Sequence, residues 1–69
     1  MNSVYDVQQL LKKFGIYVYI GDRLSDLELM EEEIRELYSA KLILREDFTQ
    51  SILILRAERS RIQKDQNKE

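Results

Sequence analysis

The stretch Ile16-Tyr17-Val18-Tyr19-Ile20-Gly21-Asp22-Arg23 decides how this chain folds. Its first five residues are β-branched or aromatic, the composition of a strand. In an extended segment Ile16, Val18 and Ile20 point one way, and Tyr17 and Tyr19 the other. A strand needs a ladder partner, and no second run of equal quality occurs in the chain. The segment is therefore expected to be an extended connector, its isoleucines and valine plugging a helical core. Gly21-Asp22 then reads as a turn, with Asp22 the expected N-cap of the helix that follows.

Both flanks of the connector carry helical periodicity. Val4, Val7, Leu10, Leu11 and Phe14 recur on one face, which predicts a first helix over Val4–Phe14. Ser3 is placed to cap it, with Asp6 three residues on as a weaker capping-box partner. Gly15 stands where a left-handed residue would end it. Downstream, Leu24, Leu27, Met30, Ile34 and Leu37 predict a second helix over Leu24–Tyr38. Acids crowd its first half and complement the helix dipole. Ser25 and Glu28 offer a competing capping box one turn in, and Glu31 and Arg35 are spaced for an ion pair.

Ala40–Leu44 reads as a short link. A third helix starts near Arg45, because Phe48, Ile52, Leu55, Arg59 and Ile62 share a face, although Leu44 has no side chain with which to cap it. If it reaches Lys64 it spans roughly 30 Å and overhangs the shorter first helix. The expectation is a single all-α domain over 1–64, a small three-helix bundle, with 65–69 a polar, disordered tail.

With 69 residues the chain is near the lower size limit for independent folding. Cys and His are both absent, which removes disulfides and the usual zinc ligands. No basic segment followed by an apolar run opens the chain, and Ile16–Ile20 and Ile52–Leu55 are far too short to span a bilayer. A cytoplasmic location is expected, with no membrane, metal or cofactor.

Charge is unevenly placed. Over residues 1–21, Lys12 and Lys13 against Asp6 give +1; over 22–39, seven acids against Arg23 and Arg35 give −5; over 40–69, seven bases against five acids give +2. A general nucleic-acid binder is usually more basic, so any phosphate contact must be local.

Enzymatic chemistry finds little support: there is no Cys or His nucleophile–base pair, and two glycines cannot build a phosphate-cradling loop. Asp22, Asp26 and Glu33 invite a divalent cation, but acids early in a helix are explained by capping and the dipole. Tyr17 and Tyr19 are the sharper case. Sharing a face about 6.6–7 Å apart at strand rise, they offer a stacking platform, and Lys12, Lys13 and Arg23 flank them as phosphate partners. The plainer alternative is a tyrosine lying over the bundle with its hydroxyl wet.

Two further features bear on binding. Arg56, Arg59, Arg61, Lys64 and Lys68 make a basic end diluted by Glu58, Asp65 and Glu69, which suits the C-terminal dipole. Leu44, Leu53 and Ile54 carry apolar surface round the third helix, a candidate interface with a second copy or another protein unless the connector covers it.

Three segments taken together carry a family resemblance: Tyr5-Asp6-Val7-Gln8-Gln9-Leu10-Leu11; Tyr19-Ile20-Gly21-Asp22-Arg23; and Asp26-Leu27-Glu28-Leu29-Met30 with Glu33-Ile34 and Leu37-Tyr38. The chain from Val4 to Leu55 resembles the YqgQ-like proteins, small cytosolic proteins of Gram-positive bacteria. The resemblance implies a compact three-helix bundle and a proposed role in binding single-stranded nucleic acid. Residues beyond Arg56 carry no part of it.

Overall fold

Residues 1–66 are described by the computed structural model, and they form three helices: α1 (Val4–Lys12), α2 (Arg23–Ser39) and α3 (Arg45–Gln66). No strand occurs among the described residues, as the unpaired connector implied. The helix α3 runs two residues past Lys64, so Asp65 and Gln66 are helical rather than part of a tail. Residues 67–69 of that expected tail lie outside the described residues.

Each helix end is explained by its local chemistry. At the start of α1 the Asp6 carboxylate accepts from the backbone N–H of Asn2 at 2.8 Å and of Ser3 at 3.2 Å. Those bonds satisfy donors that the first turn leaves without helical partners, and they hold the Asp6 carboxyl below its usual range. At the far end Gly15 is left-handed, with φ +75°. The Ile16 N–H reaches back to the Leu11 carbonyl and the Gly15 N–H to that of Lys12, which completes a Schellman motif. The regular helix thus stops at Lys12, and Phe14, expected within it, belongs to this closing turn, 38% exposed.

Helix α2 begins where Asp22 accepts from the Ser25 N–H at 3.0 Å and from its hydroxyl at 2.7 Å. Ser25 is thereby committed to Asp22, and the competing capping box with Glu28 is not used. The end of α2 repeats the Schellman pattern without a glycine. Leu42 N–H bonds to the Leu37 carbonyl and Lys41 N–H to that of Tyr38, with Lys41 at φ 62°. A left-handed side-chain-bearing residue costs roughly 1–2 kcal/mol. Lys41→Gly is accordingly expected to stabilise the fold by about 1 kcal/mol, after the extra unfolded-state entropy of glycine is offset. A urea melt checks this: the midpoint rises while the slope is unchanged.

The helices α2 and α3 form an antiparallel hairpin. Arg23 pairs with Glu58, Glu31 with Arg56, and Tyr38 stacks on Phe48 at a ring-centroid distance of 4.3 Å, so partners on α3 descend as α2 ascends. Val4, Val7 and Leu11 of α1, Leu27, Met30, Ile34 and Leu37 of α2, and Ile52 and Leu55 of α3 make the buried core. These are the residues on the periodic stripes. Ser51, wholly buried, donates its hydroxyl to the Met1 sulfur at 3.2 Å, which ties the chain start to the middle of α3.

The connector departs from expectation at one residue. Ile16 and Val18 pack against the core as expected, but Ile20 is 57% exposed. Its backbone N–H instead donates to the Asp26 carboxylate at 2.7 Å, and this bond, rather than side-chain burial, fixes the end of the connector. Nor does the connector blanket α3: Ile54 is half-buried beside the first turn of α1, with which it lines a common hollow.

Candidate nucleic-acid interface

After the Schellman turn the chain doubles back along α1. Ile16 sits by Leu11, Tyr17, Val18 and Tyr19 lie beside Gln8, Leu11 and Lys12, and Arg23 arrives next to Asn2–Tyr5. Helix and connector therefore form the two walls of a shallow trough. Its first part is a hollow of about 250 Å³ lined by Gln8, Leu11, Lys12, Ile16, Tyr17, Val18 and Tyr19. Leu11, Ile16 and Val18 supply an apolar floor; Gln8, Lys12 and the two tyrosines supply everything polar.

Tyr17 is 72% exposed and Tyr19 89%. Neither ring serves the core, so the plainer alternative of a tyrosine lying over the bundle does not describe them. Lys12 shares their hollow. Lys13 is exposed but stands about 100° further round the α1 axis. Arg23 is not with the tyrosines: it lines a second hollow of about 500 Å³, together with Asn2, Ser3, Val4, Tyr5, Ile54, Ala57, Glu58 and Arg61. The structure thus unites Lys12, Tyr17 and Tyr19 and sets Lys13 and Arg23 apart from them.

Two residues that the sequence reading did not place here belong to the trough. Gln8 lies one turn before Lys12 on the same face, a relation legible from i, i+4 spacing once the connector is known to cover it. Asp26 is buried and supports the trough from beneath through its bond to Ile20. Removing that carboxylate, as in Asp26→Ala, is expected to cost about 1.5–3 kcal/mol, the range for a hydrogen bond to a charged group. Amide exchange at Ile20 is the direct check, since its protection falls when the anchor is lost.

Ion pairs gather on two carboxylates, Glu31 and Glu58. Glu31 bonds Arg35 at 2.9 Å and Arg56 at 3.3 Å. Burial acts to raise the Glu31 carboxyl, but the bonds from Arg35 and Arg56 outweigh it and hold the group below its usual range. Arg61 bonds Glu58 at 2.8 Å and Asp65 at 3.5 Å, and Arg23 approaches Glu58 at 3.6 Å. The hydrogen bond from Arg61 depresses the Glu58 carboxyl, burial opposes that, and the charges of Arg61 and Arg23 add to the depression. Of the basic end of α3, Arg56 and Arg61 are therefore held in ion pairs. Among the described residues no carboxylate of α2 lines either hollow; the helix meets the trough only at its start, through Arg23 and the buried Asp26.

No group of three or more His, Cys, Asp or Glu side chains among the described residues is placed to hold a metal ion. No described helix is long and apolar enough to cross a membrane. Of the residues considered for a protein interface, Leu44 is 70% and Leu53 64% exposed, whereas Ile54 is half-buried against the core.

Comparison with known proteins places these features in a family context. The family model described as YqgQ-like matches residues 1–61, which span all of α1 and α2 and most of α3. The chain is also similar to a Bacillus subtilis (strain 168) protein named "Uncharacterized protein YqgQ". The two are 48% identical over 58 residues, 84% of this chain and 82% of the relative.

Proposed function

We propose that this chain, which belongs to the YqgQ-like family, binds single-stranded nucleic acid in the trough between α1 and the connector. One observation carries the reading: two tyrosines, 72% and 89% exposed, line a single hollow with Lys12. Folding does not require aromatic rings in that position, because solvent rather than core surrounds them. A flexible single strand needs stacking faces for its bases and cations for its phosphates, and stacking tolerates any base sequence.

Tyr17 and Tyr19 take the bases in this reading. Lys12 holds phosphate at the same hollow, Arg23 at the trough's far end, and Lys13 adds positive potential from the flank. Fluorescence anisotropy of labelled single-stranded RNA and DNA, titrated from low to physiological salt, tests it. Saturable binding is expected, with a log–log salt slope of about −0.7 per neutralised phosphate, hence about −1.4 to −2.1 for two or three contacts. Absence of binding even at low salt would sink the reading.

A second reading is favoured by the exposure of Leu42, Leu44 and Leu53, at 57%, 70% and 64%. These side chains suit an adaptor or self-associating role through the start and outer face of α3. Sedimentation at rising concentration separates this reading from the first, because a chain that stays monomeric has no self-association surface there.

A further inference from the structure

Resting on the nucleic-acid reading, we propose that the binding track continues past the tyrosine hollow into the second one. There Tyr5 is a third stacking platform, and Arg23 and Arg61 exchange Glu58 for a phosphate of the strand. The first support is helical register. Tyr5, Gln8 and Lys12 stand at i, i+3 and i+7, so they form one stripe along α1. Gln8 and Lys12 line the first hollow and Tyr5 the second, so one helix face joins them over about 10 Å.

The second support is that Tyr5, like the connector tyrosines, has no structural duty. It is 64% exposed, while its neighbours Val4 and Val7 carry the burial of α1. The third is the placing of Arg23. It follows the connector in sequence, yet it stands at the opposite end of the trough from Lys12, where Arg61 joins it. Two cations at one end and Lys12 at the other suit a chain of phosphates better than a single anion.

Glu58 occupies the position that a phosphate would take. Its Oε2 lies 2.8 Å from an Arg61 guanidinium nitrogen and 3.6 Å from one of Arg23. Both arginine side chains are well exposed, at 62% and 46%, and ion pairs of that kind contribute little to stability. The carboxylate therefore offsets one of the two guanidinium charges, Asp65 at 3.5 Å from Arg61 offsets the other, and Glu58 yields readily to a phosphate, which presents more acceptor oxygens to the same forks.

Length-dependent binding with two variants tests this. Wild-type protein is titrated with oligothymidylates of about two to about ten nucleotides, a range bracketing a short single-strand site. Tyr5→Ala is expected to weaken the longer strands about 5-fold or more and leave the dinucleotide unchanged. Glu58→Gln is expected to tighten the longer strands several-fold, while Glu36→Gln, which removes the same charge from an exposed part of α2, has a smaller effect. Tyr5 is exposed and Glu58 partly buried, so thermal melts confirm that each variant folds. An unchanged Tyr5→Ala, or a Glu58→Gln no different from Glu36→Gln, overturns the extended track while Tyr17 and Tyr19 still govern affinity. Failure of wild-type protein to bind any strand overturns the underlying reading and this inference with it.

Discussion

Replacing Tyr17 and Tyr19 together by alanine is expected to weaken single-stranded RNA or DNA binding by about 30-fold at the least. Each base stacked on an aromatic ring contributes about 1–3 kcal/mol, so two platforms account for about 2–6 kcal/mol. The same double variant is expected to melt close to wild type, because neither ring belongs to the buried core. That separation gives the experiment its force. A loss of affinity without loss of stability assigns the rings to the ligand; equal affinity would rule out stacking on them. Replacement by phenylalanine is the informative companion, since it keeps the π-face and removes only the hydroxyl.

The other large effect is on the fold. Ile34→Ala is expected to cost about 2–5 kcal/mol, the range for truncating a buried aliphatic side chain. Ile34 is fully buried at the centre of α2, among residues from all three helices. A core of this size supplies only about 3–5 kcal/mol in total. The variant is therefore expected to be substantially unfolded at room temperature, with helical circular dichroism largely lost. Leu53→Ala, on the exposed side of α3, is the control and should shift stability by less than about 0.5 kcal/mol. A folded Ile34→Ala protein would mean that the bundle draws stability from self-association, which favours the apolar surface of α3 as an interface.

How far the sequence revealed this molecule depends on the kind of signal each residue carries. Val7, Leu11, Met30, Ile34 and Leu55 were legible as core because burial on one helix face imposes a period near 3.6. Gly15 was legible as a helix stop because only glycine adopts positive φ without cost. Lys41 adopts the same conformation at the end of α2, but lysine carries no such mark, so that turn was read only as a link. Ile20 was assigned inward by strict alternation, which fails where the Asp26 carboxylate captures its backbone instead.

The site was half legible for a similar reason. Alternation along a short extended segment pairs Tyr17 with Tyr19, a local relation; both are exposed and line one hollow, together with Ile16 and Val18. The position of Arg23 is not local. It depends on the connector folding back along α1, which carries the arginine to the start of that helix rather than to Lys12. Asp26 hid behind an adequate explanation, because a carboxylate in a first helical turn already suits the dipole. Its burial and its bond to Ile20 emerge only from the way the connector crosses the helix start.

The central claim is that a single strand lies in the trough between α1 and the connector, and amide chemical-shift mapping during titration with a single-stranded oligonucleotide tests it most directly. Shifts are expected at Tyr5, Gln8, Lys12, Tyr17 to Ile20 and Arg23, with the exposed acidic positions Glu28, Glu32 and Glu36 of α2 unmoved. No shift at saturating oligonucleotide, or shifts confined to the surroundings of Leu44 and Leu53, would contradict it.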